Sequence, residues 1–277
     1  MNFIFICLSV FYINTAQQDT ISFKNKFLIG AAAGAATTTI LEPLIYIKNR
    51  WQQNKPLYLK KCFRGLPVNA AGFILTMAVQ NSVFGEVENT LNQTNLTTLY
   101  KKVIAALVAG SASAITSCPR EILIIQQQNN GGNFYEVYKN LIQQHGIMAS
   151  WKAGTLVAAR NSSFAGCFFI MTPALSDKLG TAAPVVAGAL SAIMTHPLDT
   201  MKTRLQADPY KTIKQVAQEI YHETHPKAYF KSGLASFFRG IHPRIAGVAA
   251  TMTLEYRFRE YFMQLYKDKL SNTSLQQ

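Results

Sequence analysis

Arg160 is the side chain in this sequence best suited to hold a ligand. It stands inside an apolar run from Gly154 to Leu175, where an arginine costs several kcal/mol or more unless it serves a water-filled site. Its planar guanidinium matches a carboxylate or a phosphate through two parallel hydrogen bonds. The chemistry it offers is therefore anion binding; the alternative is a structural partner for a carbonyl or carboxylate. Other charges follow prolines at short range: Lys48 after Pro43, Glu121 after Pro119, and Asp199 with Lys202 after Pro197. Nothing points to catalysis, because the chain has no Gly-rich phosphate loop and no nucleophile–base set. Cys7, Cys62, Cys118 and Cys167 are scattered, and His222 with His225 lack a cysteine or carboxylate to complete a metal site. No metal and no cofactor are expected.

The elements that must position these groups belong in a bilayer. Of 277 residues 49% are apolar and only 15% charged, well below the ~25% charge of soluble domains. The balance is basic, 27 Lys+Arg against 14 Asp+Glu, which suits nucleic acid or an anionic membrane surface. The low total charge favours the membrane, and no nucleic-acid partner is expected. The apolar run Phe3 to Ile13 is too short for a span of ~20 residues. It reads as a peripheral tail, with a cleaved signal peptide as the alternative.

Internal repetition sets the architecture. Glycine stands nine residues before each of Pro43, Pro119 and Pro197, at Gly34, Gly110 and Gly188; glutamine stands nine residues after, at Gln52, Gln128 and Gln206. Each repeat then carries an aromatic-basic-small triplet: Phe63-Arg64-Gly65, Trp151-Lys152-Ala153 and Phe238-Arg239-Gly240. The proline-to-triplet gap varies, at 20, 32 and 41 residues, as insertions in a loop would make it. An apolar segment leads through each proline (25–52, 102–128, 184–206) and another follows each triplet (66–87, 154–175, 241–262), all near spanning length. The expected fold is an all-α membrane protein of six transmembrane helices in three two-helix repeats, pseudo-threefold about a central cavity. The units are an N-terminal tail 1–24, repeats 25–101, 102–180 and 181–268, and a C-terminal tail 269–277.

The repeated residues have physical reasons. Gly30-x-x-x-Gly34 and Ala106-x-x-x-Gly110 are small faces that let helices approach closely in lipid. Pro43, Pro119 and Pro197 remove a hydrogen bond and kink their helices, tilting three of them toward one axis. Lys and Arg concentrate in the loops after the first, third and fifth segments, so these loops face the side from which insertion began. The stretch 133–144 is amphipathic, with Phe134, Val137, Tyr138, Leu141 and Ile142 on one side, and suits the bilayer surface.

Pro197-Leu-Asp-Thr-Met-Lys-Thr-Arg204 resembles the signature of the mitochondrial carrier family, Pro-x-[Asp/Glu]-x-x-[Lys/Arg]-x-[Lys/Arg]. The likeness covers about residues 25–266, strong in the third repeat and degenerate in the first two. It implies a multi-pass transporter of the mitochondrial inner membrane, monomeric, not an enzyme, with a matrix gate in which each signature carboxylate pairs with the base of the next odd helix. Repeat 1 has Ile45 in the acidic place and keeps Lys48; repeat 2 keeps Glu121 and has Ile124 in the basic place; repeat 3 keeps Asp199 and Lys202. The resemblance thus pairs Glu121 with Lys202 and Asp199 with Lys48, and sets Ile45 against Ile124. Breaking one partner of a buried pair is costly while replacing both is often neutral, so the two isoleucines read as one coordinated change; independent drift is the alternative. The family's second gate is poorly matched: Gly85 and Glu88 beside Phe84, and Pro173 to Ser176 uncharged. Weakened gates imply uptake without counter-substrate alongside exchange. Membrane lipid is an implied partner, with cardiolipin at the triplets.

The family's substrate contacts begin seven residues after each triplet. Here those positions hold Gly72, Arg160 with Asn161, and Gly247, and Arg244 precedes Gly247 by three. The resemblance implies a small anionic substrate held at Arg160, with Gly72 and Gly247 leaving room for a flat group. That favours a nucleotide such as ATP or ADP; amino-acid or oxo-/carboxylic-acid transport, and a non-transporting scaffold, are the alternatives. The degenerate signatures are also similar to those of carrier-like proteins that intracellular parasites place in host mitochondria, among them a nucleotide carrier delivered by a bacterium.

Overall fold

The computed structural model describes residues 23–223 and 233–274; the apolar run at the N-terminus and His225 lie outside them. The described chain is helical. Helix α1 is Phe23–Gln52 and α2 is Leu66–Asn92. The third segment is two helices, α3 Thr98–Ala112 and α4 Ala114–Asn130, followed by α5 Phe134–His145 and α6 Gly154–Leu179. The fifth is again two, α7 Ala183–Met194 and α8 His196–Ala207. After α9 Ile213–His222, α10 runs Ile241–Ser274.

Packing follows chain order around a closed ring: α1 on α2, α2 on α3, α3 on α6, α6 on α7, α7 on α10, and α10 back on α1. The later halves of the odd segments also meet each other, α4 with α8 and α1 with α8. The bundle therefore converges at the end where the signature residues lie. Small residues make the close approaches. A Cβ at Gly34 would lie 1.9 Å from the Phe73 ring on α2, and one at Gly110 would lie 2.9 Å from the Asn161 carbonyl oxygen on α6.

The three prolines do not act alike. Helix α1 runs unbroken through Pro43. The α3–α4 pair is bent by 47° at Ser113, six residues before Pro119, and the break before α8 is 59° at Thr195, two residues before Pro197. The expected equivalent kinks are thus one continuous helix and two breaks placed upstream. A proline strains the carbonyl four residues earlier, and serine or threonine back-bonding adds to a bend. Ser113 Oγ donates to Gly110 O at 2.7 Å and Thr195 Oγ1 to Ser191 O at 2.8 Å. The Ile115 carbonyl freed by Pro119 accepts instead from the Trp151 indole at 2.9 Å. Among the described residues no single helix is both long and apolar enough to cross a bilayer, whereas the two bent pairs meet that test together.

The loop helices sit at the convergent end. A capping box of Asn133 and Glu136 starts α5, and a matching one of Thr212 and Gln215 starts α9. The apolar face of α5 is not left for lipid: Val137 and Leu141 pack on Ile122, Leu123 and Ala149, while Phe134 stays exposed. Helix α9 buries Val216 and Ile220 against Leu205 and Ala153 in the same way.

Candidate functional site

Two turns of charged residues close the convergent end. Lys48 Nζ lies 3.0 Å from Asp199 Oδ2, and Lys202 Nζ lies 3.1 Å from Glu121 Oε2. These are the two pairs that the family resemblance implies. Asp199 also accepts from the repeat-1 glutamine, Gln52 Nε2, at 2.8 Å, and Gln52 Oε1 accepts from Thr203 at 2.8 Å. Ile45 and Ile124 line one small cavity with Lys48, Glu121 and Lys202; its volume of ≈ 20 Å³ is room for about one water.

The α1–α4 seam, which lacks an ion pair at the isoleucines, is joined one turn further along by amides. Asn49 Nδ2 donates to Gln128 Oε1 at 2.9 Å, Arg50 to Asn129 Oδ1 at 2.9 Å, and Asn129 Nδ2 to Gln53 Oε1 at 2.8 Å. The triplets lock the same layer from outside. A Cβ at Gly65, where φ is +99°, would touch Ile124 at 3.0 Å, and one at Gly240, where φ is +79°, would lie 3.3 Å from the Lys48 carbonyl oxygen. Both backbone turns need glycine because an L side chain rarely takes such angles. Arg239 of the third triplet pairs with Glu223 at 2.8 Å.

The residues expected at the substrate are drawn into this charged layer. Arg160 Nη2 donates to Glu121 Oε1 at 2.7 Å, and its Nε lies 3.8 Å from Asp199. Arg244 reaches Asp199 at 3.1 Å and Thr195 Oγ1 at 2.6 Å. It therefore ties α10 to the break between α7 and α8. Asn161 donates to Ser113 Oγ at 2.8 Å, the bend between α3 and α4. Gly247 is buried on α10, and its carbonyl accepts from Thr251 at 2.7 Å. The room expected at Gly72 is already filled, because a Cβ there would lie 2.5 Å from Arg120 Cδ.

Three neighbours escaped the reading of the sequence: Arg120, Glu42 and Asn69, all buried. Arg120 Nη2 is 3.9 Å from Glu121. Asn69 Nδ2 donates to Glu42 Oε2 at 2.7 Å. A signal for them exists in the repeat alignment. The residue before each proline is Glu42, Cys118 or His196, the residue after it is Leu44, Arg120 or Leu198, and the fourth after each triplet is Asn69, Val157 or Arg244. Positions where one repeat departs from the others mark asymmetric contacts.

The opposite end holds an aromatic cluster. Phe84 stacks on Phe169 with ring centroids 5.9 Å apart, in a cluster with Phe164, Phe168, Val248 and Met252. Gly85 has open space where a side chain would stand, and the Ser176 hydroxyl donates back to the Thr172 carbonyl at 2.7 Å.

Comparison with known proteins agrees with this architecture. The family described as mitochondrial carrier protein matches residues 180–270. The mitochondrial substrate carrier family protein Z of Dictyostelium discoideum is 26% identical, over 89% of this chain and 94% of its own. The mitochondrial basic amino acids transporter of Bos taurus is 26% identical, over 82% of this chain and 90% of its own. The mitochondrial aspartate-glutamate transporter of Saccharomyces cerevisiae is 24% identical over 82% of this chain, which spans 31% of that longer protein. With three proline-centred repeats, a closed ring of helices and signature charges meeting at one end, the chain belongs to the mitochondrial carrier family.

Proposed function

We propose that the protein moves a small anionic metabolite across the mitochondrial inner membrane by alternating access, with Arg160 holding the anionic group. Family membership makes the chain a membrane transporter of mitochondria. The observation that supports an anionic cargo is the charge of the buried layer, where Lys48, Arg120, Arg160, Lys202 and Arg244 face Glu42, Glu121 and Asp199. An incoming carboxylate or phosphate relieves that surplus of cations. Arg160 is the member best placed to meet it, since Glu121 keeps Lys202 when Arg160 turns away.

A carboxylate-bearing substrate is the leading reading. Two relatives carry names of amino-acid transporters, for basic amino acids and for aspartate-glutamate. A nucleotide such as ATP or ADP is the second reading, favoured by the same cation surplus, which suits a polyphosphate. Its flat base would have to lie near Gly247, because Arg120 occupies the space at Gly72. The protein works as a monomer, and lipid, cardiolipin included, seats at the triplets, where Phe63 and Trp151 are exposed. Reconstitution into liposomes with labelled carboxylates and nucleotides tests the reading. Uptake of at least one anion, lost on changing Arg160, is expected. A folded, inserted protein that takes up none of them would favour a non-transporting scaffold.

A further inference from the structure

Glu42 is a buried carboxylate with one oxygen that makes no hydrogen bond. It sits on α1 immediately before Pro43, and one of its oxygens, Oε2, accepts from Asn69 Nδ2 at 2.7 Å. The other, Oε1, is buried with no hydrogen-bond partner, and among the described residues no lysine or arginine nitrogen comes within 4.0 Å to form an ion pair with it. Every other carboxylate of this layer has such a pair: Glu121 with Arg160 and Lys202, Asp199 with Lys48, Lys202 and Arg244. A buried ionised group normally persists only when paired and hydrogen-bonded; the Gln128 side chain and the Arg120 charge lie within reach of Glu42, yet Oε1 has no close hydrogen-bond partner and can accept a further donor.

Its place tells which donor. Glu42 lies three residues before Ile45, hence one turn from it on the same helix face, away from the closed end. Asn69 stands three residues before Gly72, so the same relation holds on α2. Arg120, whose stem crosses Gly72, is within electrostatic reach of both Glu42 and Arg160. A carboxylate acceptor and two guanidinium groups thus lie within electrostatic reach of one another, with Arg120 between them. A pure anion would satisfy the arginines and meet repulsion from Glu42. A molecule with a carboxylate and an ammonium group satisfies both.

We propose that Glu42, oriented by Asn69, binds the ammonium group of the substrate, which is therefore an α-amino acid or a close derivative. The proposal rests on the reading of Arg160 as the anion site. Asn69 fixes one oxygen so that the other points to the ligand, and the ammonium donates to Oε1.

The test uses the full chain in liposomes and α-amino acids with acidic, neutral and basic side chains, each against the 2-oxo acid of the same skeleton. The wild type is expected to take up at least one amino acid tenfold or more faster than its oxo acid. Glu42→Gln keeps the acceptor for Asn69 and removes the charge, so it should erase that preference while oxo-acid uptake stays within about twofold or rises. A thermal melt in detergent reports whether the variant is folded. Absence of preference in the wild type overturns the proposal without any variant, and so does an unchanged preference in folded Glu42→Gln. Loss of all uptake in Arg160→Lys with a preference intact in the wild type leaves both readings standing; full uptake in Arg160→Lys sinks the anion site alone.

Discussion

Arg160 and Lys202 hold the two oxygens of one carboxylate, Glu121, at 2.7 and 3.1 Å. The residue that would meet the substrate is therefore bonded to the residue that closes the convergent end. An anion arriving at Arg160 competes directly with Glu121. Its binding withdraws one of the links across α4, α6 and α8 and so weakens the closed state more than the open one. Only such differential interaction lets a ligand shift a conformational equilibrium.

Arg160→Ala would conflate two effects, because it strips a buried carboxylate of one partner as well as removing the ligand contact. Breaking a buried pair costs about 3–5 kcal/mol where nothing compensates; here Lys202 remains. Arg160→Lys separates the effects. An ammonium can still face Glu121 but cannot bond an anion in bidentate fashion. Uptake is expected to fall by about 10- to 100-fold, the loss of one charge-assisted hydrogen bond of ~1.5–3 kcal/mol, with the melting temperature nearly unchanged. Equal losses of uptake and melting temperature would assign Arg160 to structure.

The repeat carried much of the fold in plain view. Gly34 and Gly110 stand where helices touch Phe73 and Asn161, and the family signature brought Lys48 to Asp199 and Lys202 to Glu121 in the expected pairs. What stayed hidden was asymmetry. The bends at Ser113 and Thr195 depend on hydroxyl back-bonds that no proline spacing announces. Arg120 and Glu42 sit beside the prolines at positions without a threefold counterpart, so aligning repeats for likeness passed over them. The apolar face of 133–144 was legible as amphipathic, but its partner, Ile122 and Leu123, lies in a loop-to-bundle contact that periodicity does not reveal.

Charge reversal tests the Lys48–Asp199 pair, and the structure makes the expected result unequal. Asp199 is surrounded by Lys48, Lys202 and Arg244, each near 3 Å. With Arg160 at 3.8 Å, Asp199→Lys places a fifth cation among four, whereas Lys48→Asp leaves Asp199 with three partners. Asp199→Lys should therefore impair transport more. The double variant should exceed the worse single by several-fold without reaching wild type. A double variant no better than Asp199→Lys alone would remove the pair from the gate.

Trp151 should matter through its indole N–H. The carbonyl it binds, Ile115 O at 2.9 Å, is the one that Pro119 leaves without a helical donor. Trp151→Phe keeps the ring and drops the donor, so a loss of about 1 kcal/mol in stability is expected. A melt in detergent reads it as a fall of a few degrees, with uptake largely kept at lower temperature. A melting temperature equal to wild type would mean that water serves Ile115 equally well.

The isoleucine pair bears on whether the carrier needs a counter-substrate. Each closed end stabilises one of two states, and the empty carrier must pass between them for net uptake. At the convergent end Ile45 and Ile124 replace one ion pair, and the seam beside them is joined by Asn49–Gln128 and Arg50–Asn129. At the other end the family's charged latch is missing at Gly85, Glu88, Pro173 and Ser176, and Phe84 stacks on Phe169 instead. With charged links thinned at both ends, the two states are shallower, and uptake into liposomes without internal substrate is expected alongside exchange. Ile45→Glu with Ile124→Lys restores an ion pair that forms only when the convergent end is closed. Both positions are buried, so desolvation offsets most of the attraction, and a net contribution on the order of 1 kcal/mol corresponds to about a fivefold slower return of the empty carrier. Uptake into empty liposomes should fall by that factor in the double variant, while exchange falls less because bound substrate still competes for Arg160. Ile45→Glu alone should damage both, since it buries a carboxylate without its partner. Strict dependence of wild-type uptake on preloaded substrate would show that the empty carrier does not reorient. The phenylalanine stack and the amide seam would then hold the gates as firmly as ion pairs do.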